Sequence, residues 1–199
     1  MAPIAQFVLF EGFDPLDVIA PFEVLAASER IEPELVALGG PGPVVSGTPG
    51  LSLTATAALD PSRPGYLLVP GASGPVDDIP QVLSGFAQSD AMPLLRKALD
   101  NPEITVAAVC GGSLALAMAG LLEDRNAVTH VLGMPLLEAT GTRAVEARVV
   151  DDGDFLSCGG VTSGLDLALH LLDRDFGPDV ALGVEKLFEY ERRGTVWRA

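Results

Sequence analysis

Short unbroken apolar runs alternate along this chain with longer stretches whose apolar residues recur at helical intervals. Ile4 to Phe10, Glu34 to Leu38, Tyr66 to Val69 and Ile104 to Val109 are runs of the first kind, each closed by turn residues. A strand covered on both faces has this signature, so the runs predict parallel strands. A helix is predicted from about Pro15 to Ala27, with Asp14 as its cap and Pro15 at its first position. Ile79 to Leu99 predicts two helical pieces broken near Ser89-Asp90, with Leu94, Leu95, Ala98 and Leu99 facing inward and Asn101-Pro102 as the stop. Leu114, Met118, Leu121 and Leu122 continue the pattern after Val109. A short strand at Asn126 to Thr129 and a short helix at Met134 to Thr140 follow.

Two hairpins interrupt the alternation. Val44-Val45 and Leu51 to Thr54 flank a turn-rich segment, and Val145 to Val150 and Phe155 to Cys158 flank Asp151-Asp152-Gly153-Asp154. The second pair is expected to form an antiparallel edge. A helix then runs through Leu172, and another spans about Pro178 to Tyr190 before a charged end. The whole predicts a single domain over 1–199, an α/β sandwich with a mostly parallel sheet, a small antiparallel hairpin insert and a helical tail at about 178–199.

Charge narrows the partners. Twelve Lys and Arg stand against 27 Asp and Glu, a net charge of -15, which repels phosphate backbones and anionic lipid surfaces. Nucleic acid and membrane are therefore not expected as partners. The first apolar run is too short to span a bilayer and lacks a basic leader, and two cysteines with two histidines make neither a disulfide framework nor a zinc site. A reducing cytoplasm is the simplest compartment. The residues after Asp173 are too few for a helix-turn-helix unit with its own core.

The stretch ITVAAVCGGSLALAMAGLL concentrates the candidate chemistry. It reads as strand, sharp turn and helix with Cys110 at the bend, where Gly111 and Gly112 let the backbone turn tightly and the helix N-terminus aims N–H groups at the thiol. That placement favours a thiolate. The competing reading is a small buried hydrophobe, the commoner fate of free cysteine. Asp17 has two readings as well: a first-turn carboxylate serving its own helix, or a group facing the crevice at the carboxyl end of the sheet, where Cys110 also lies. The loop Pro70-Gly71-Ala72-Ser73-Gly74 is either a plain turn or an oxyanion site. His130 follows a strand end and reads as a packing residue or a base; His170, deep in a helix, reads as structural. Cys158 also precedes two glycines but comes from a hairpin arm rather than a buried run.

The segments DPLDVIAPFEVL, LLVPGA, AAVCGGSLALAMAGLL, VTH and RVVDDGDFLSCGGVTSGLDLALHLL together resemble the ThiJ/PfpI superfamily, a relative of the class I glutamine amidotransferases, over nearly the whole chain. Asp17 followed by Pro21, with the closing GGVTSGLDLAL, is most similar to the isonitrile hydratase branch and to amidotransferase-like domains of some transcription regulators. The resemblance implies a flavodoxin-like three-layer sandwich, a homodimer, a nucleophilic cysteine at 110 and an acidic partner at 17. Gly71, Ala72 and the N–H of Gly111 match oxyanion-side positions, and His130 matches a position near the cysteine. Gly111 stands where the hydratase branch commonly has threonine, Ala72 where many members have glycine, and no histidine follows the cysteine as in the peptidase-like branch.

The implied reaction is hydration of an isonitrile to an N-substituted formamide through a thioimidate on Cys110, with a small-molecule substrate and no cofactor. Asp17, its pKa raised by the apolar cleft and the neighbouring sulfur, is the expected acid. Alternatives on the same residues are glyoxalase- or deglycase-like action on carbonyl adducts, a redox or stress sensor whose cysteine oxidises to a sulfinic acid, and a ligand-sensing module.

Overall fold

Alternate residues of the inner strands enter two separate cores, and this period of two sets the layering of the fold. Phe7, Leu9, Ala107, Val109, Leu156 and Cys158 face one cluster of buried side chains, while Val8, Val106, Ala108 and Phe155 face the other. The computed structural model describes residues 2–199. Its central sheet has eight strands. Along the chain they are β1 (Ile4–Leu9), β2 (Glu32–Ala37), β5 (Ala57–Ala58), β6 (Gly65–Val69), β7 (Ile104–Val109), β10 (Val149–Asp151), β11 (Phe155–Cys158) and β12 (Trp197–Arg198). Strands β3 (Gly42–Val45) and β4 (Ser52–Ala55) form the first hairpin outside it, and β8 (Asn126–Ala127) pairs with β9 (Arg143–Ala144). In space the order is β12-β10-β11-β7-β6-β1-β2-β5, and only β10 with β11 is antiparallel.

Helices cover both faces. On one side lie α1 (Pro15–Ala27), α6 (Ser163–Phe176) and α7 (Pro178–Phe188), contributing Val18, Leu25, Leu169, Leu172 and Val184 to the first core. On the other lie α2 (Ile79–Ala87), α3 (Ala91–Leu99), α4 (Gly111–Met118) and α5 (Met134–Ala139), contributing Leu83, Leu95, Leu116 and Leu137. Each fully buried Leu, Val or Phe contributes about 1.5–3 kcal/mol. Helix α1 starts as its sequence dictates, with the Asp14 side chain accepting from Leu16 N at 2.9 Å and Pro15 in the first turn. Gly164 of α6 lets that helix lie against Pro21 of α1, since a Cβ there would stand 3.1 Å from Pro21 Cδ.

Three segments differ from the pattern-based expectation. Strand β8 ends at Ala127 and stays out of the main sheet, because the Val128 backbone is bonded by hydroxyls: its N–H donates to Ser157 Oγ at 2.9 Å and its carbonyl accepts from Ser113 Oγ at 2.7 Å. The second hairpin is shorter than expected, since Val145 N bonds Ala127 O instead of continuing the ladder. Its arm β11 is an inner strand parallel to β7, not an edge. The charged end closes with β12, held beside β10 by Ala199 N bonding Asp151 O at 3.1 Å.

Candidate active site

Three chain crossings meet at the carboxyl ends of β1, β6 and β7, and local sequence fixes how closely they approach. Cys110 takes φ 55° and ψ −126° between β7 and α4. Such a conformation costs a non-glycine residue about 1–3 kcal/mol and persists only where the surroundings hold it. Here the Cys110 N–H donates to the carbonyls of Cys158 and Gly159 at 3.1 and 3.2 Å. Its own carbonyl accepts from Thr129 Oγ1 at 2.7 Å and Ser113 Oγ at 3.2 Å. Gly112 is required by the neighbouring strand end, because a Cβ would sit 2.9 Å from Pro70 O.

The loop after β6 lies directly on this elbow. A Cβ at Gly71 would stand 2.6 Å from Gly111 N and 2.9 Å from Asp17 Oδ2. The same loop is stitched to the one after β1, with Asp14 N bonding Gly71 O at 2.9 Å, Ser73 N bonding Gly12 O at 3.1 Å, and Ala72 bridging Phe13. Asp17, in the first turn of α1, is thereby carried to Cys110.

Asp17 does not serve its own helix. The side chain is 1% exposed, and Oδ2 accepts from Gly71 N at 2.9 Å. Its Oδ1 has no hydrogen-bond partner. Burial, and then the charge of Asp14, hold this carboxyl well above the usual carboxylate range, against the opposing pull of Gly71 N–H and the Cys110 thiol. Burial likewise pushes the Cys110 thiol up, the charge of Asp17 adds to this, and the Gly111 N–H facing the sulfur opposes it. The helix N-terminus therefore does not leave a resting thiolate, which corrects the expectation drawn from the elbow alone. Each of the two neighbouring groups is thus biased toward its protonated form.

Among the residues singled out from sequence, Cys110, Asp17, Gly71, Ala72 and Gly111 come together. Gly71 departs from its expected part, because its N–H is committed to Asp17 rather than free for an oxyanion. His130 caps the 3-10 turn at Val131–Gly133, its Nδ1 accepting from Leu132 N at 3.2 Å, and its ring lies against Gly160. It lines an open groove of about 750 Å³ with Val128, Met134, Pro135 and Arg148; neither Cys110 nor Asp17 lines that groove. Cys158 is wholly buried, and its thiol is pushed up by that burial, whereas Cys110 keeps 7% exposure. His170 is structural, its Nε2 lying 2.8 Å from Asp151 Oδ2. Sequence reasoning gave no part to Thr129, whose hydroxyl pins the elbow; its only signal is its place between β8 and His130. Among the described residues no group of three or more His, Cys, Asp or Glu could hold a metal ion, and no helix is long and apolar enough to cross a membrane.

Known proteins share this arrangement of chain. The isonitrile hydratase of Pseudomonas putida is 35% identical over 193 residues, covering 96% of this chain and 79% of that protein. The HTH-type transcriptional regulator CdhR of Pseudomonas aeruginosa is 28% identical over 192 residues, and this chain spans 53% of its length. Among solved structures, a ThiJ/PfpI family protein from Pseudomonas syringae superposes with a TM-score of 0.81 at 24% identity, over 97% of this chain and 77% of that one. Drosophila melanogaster DJ-1beta also gives 0.81, at 19% identity over 96% of this chain and all of that one. The model of the DJ-1/PfpI family matches residues 4–174, from β1 into α6, and the chain belongs to that family.

Proposed function

We propose that the chain is an isonitrile hydratase, acting through Cys110 and Asp17 on a small isonitrile. The observation that carries this reading is the buried Asp17 carboxyl, with Oδ1 unpartnered and the Cys110 thiol as its neighbour. A proton held there is available to a substrate carbon once the sulfur attacks. The 35% identity to an isonitrile hydratase supports the same reading.

In the first step Sγ bonds to the terminal isonitrile carbon, and Asp17 gives its proton to that carbon while taking up the thiol proton in exchange, which leaves a neutral thioimidate and a protonated Asp17. Asp17 next gives that proton to the thioimidate nitrogen and takes one from water as the water oxygen adds to the carbon. The tetrahedral adduct then collapses. The carbon–sulfur bond breaks, Asp17 gives its proton to the departing sulfur and takes the hydroxyl proton, and an N-substituted formamide leaves. The N–H of Gly111, which faces the sulfur, steadies its charge during attack and departure. Ala72 is held on Phe13 in the loop after β6, and His130 stands outside the proton path. No step calls for a cofactor. The protein is taken to work as a homodimer in the cytoplasm.

Incubation of the purified protein with a small alkyl isonitrile, followed by NMR for the formamide proton, tests the reading. Turnover is expected in the parent and lost in Cys110→Ala and Asp17→Asn. No formamide from the parent, or undiminished turnover in either variant, overturns it.

A further inference from the structure

Two glycines, one following Cys110 and one in the loop before Asp17, are pressed by consecutive side chains of one helix. A Cβ at Gly111 would stand 2.9 and 3.2 Å from the two methyl carbons of Leu83, and a Cβ at Gly12 would stand 2.8 Å from Val82 Cγ1. Both contacts come from α2, on the sheet face opposite α1, while Gly12 and Gly111 follow β1 and β7 at the ends that hold Asp17 and Cys110. Leu83 is 2% exposed, and Phe86, one turn further on, stacks on Phe10 with ring centroids 4.0 Å apart. Helix α2 is thus clamped against the site at both glycines.

From this packing we infer that Leu83 is the specificity-determining residue of the site, the wall that limits the size of the group carried on the isonitrile nitrogen. The inference rests on the proposed hydratase reading. Asp17 delivers its proton along the carbon lone pair, in line with the linear N≡C unit, while Sγ adds to the carbon from the side, so the substituent extends away from Asp17 past the neighbouring backbone. On the Asp17 side that path is closed by Gly71 and by α1. On the Gly111 side no side chain projects from the backbone, and the volume is occupied by the Leu83 isopropyl group. A flexible side chain reached through a glycine sets a size limit without touching the proton-transfer pair. Shortening it leaves a space beside Gly111 lined by apolar atoms, since Leu83 packs within the second core.

The test compares methyl isonitrile with cyclohexyl isonitrile in the parent, Leu83→Ala and Leu83→Val. The ratio of kcat/KM for the larger over the smaller substrate is expected to rise about tenfold or more in Leu83→Ala, the usual discrimination for lost methylene-sized contacts, and by less in Leu83→Val. Leu83→Val serves if the alanine variant does not fold. A second measurement does not depend on turnover. The rate of Cys110 modification by a pyrene maleimide, relative to iodoacetamide, is expected to rise in the same order. Formamide production with an unchanged size ratio overturns the inference and leaves the hydratase reading standing. Absence of formamide overturns the hydratase reading, and the alkylation ratio then decides whether Leu83 is the wall. An unchanged alkylation ratio removes Leu83 from that part in either case.

Discussion

Asp17→Asn separates what the carboxyl does for chemistry from what it does to the fold. The native carboxyl is 1% exposed, has one N–H donor at Oδ2 and none at Oδ1, and is held well above the ordinary carboxylate range by burial. The folded state thus keeps the proton to higher pH than the unfolded chain, where an aspartate titrates near about 3.9. Wherever the folded state binds more protons, stability falls as pH rises. For one proton the slope is about 1.4 kcal/mol per pH unit, running from the unfolded value up to the folded one and flat beyond it. Asparagine has nearly the same shape, can accept from Gly71 N and never ionises. Urea unfolding of both proteins at half-unit steps from pH 4 to 8 gives the difference directly. Near pH 4 the two should be closely matched, and with rising pH the variant should draw ahead at that slope until the folded carboxyl has titrated. A difference that stays constant across the range, or one in which the parent gains on the variant, would refute the claim that Asp17 is a proton-holding group strained by burial. Turnover should vanish in the same variant, so loss of activity would accompany gain of stability.

Other perturbations address the elbow and its neighbours. Gly71→Ala places a methyl 2.6 Å from Gly111 N and 2.9 Å from Asp17 Oδ2; it should lower stability by about 1–3 kcal/mol in thermal unfolding and abolish turnover, and a fully active variant would show that the loop can retreat. Ser113→Ala removes the buried hydroxyl from the Val128 and Cys110 carbonyls and should cost about 1–3 kcal/mol by urea titration. A thiol-counting reagent should find one reactive cysteine in the native protein, none in native Cys110→Ser, and both parent cysteines after denaturation, because Cys158 has no exposed surface. Equal native reactivity of the two would contradict the packing around β11.

Local rules sufficed where one short segment decides its own fate. Asp14 and Pro15 mark the start of α1, and the apolar run into Cys110-Gly111-Gly112 marks β7 and the elbow. The meeting of Asp17 with Gly71 was legible only as two loops sharing one end of a parallel sheet; that the Gly71 N–H is spent on Asp17 depends on loop paths that no single segment encodes. Thiol ionisation escaped for a related reason. The helix N-terminus is visible in sequence, whereas burial and the adjacent carboxyl, which outweigh it, are products of tertiary packing. His130 sits off a strand end as expected, yet its turn directs the ring to Gly160 and a different groove. The inner position of β11 was hidden because a tight hairpin turn says nothing of what lies on an arm's other side.

The two flanks of the eight-stranded sheet bear on how copies of this chain can associate. One flank is closed by Trp197 and Arg198 and the other by Ala57 and Ala58, each pair too short to template a further strand. Beyond Ala57 the next strand inward begins Glu32-Pro33-Glu34, where proline offers no amide hydrogen and the glutamates repel a copy of themselves. Edge-to-edge accretion into fibrils is thereby discouraged at both borders, and self-recognition is steered to helical and loop faces, away from the backbone ladder.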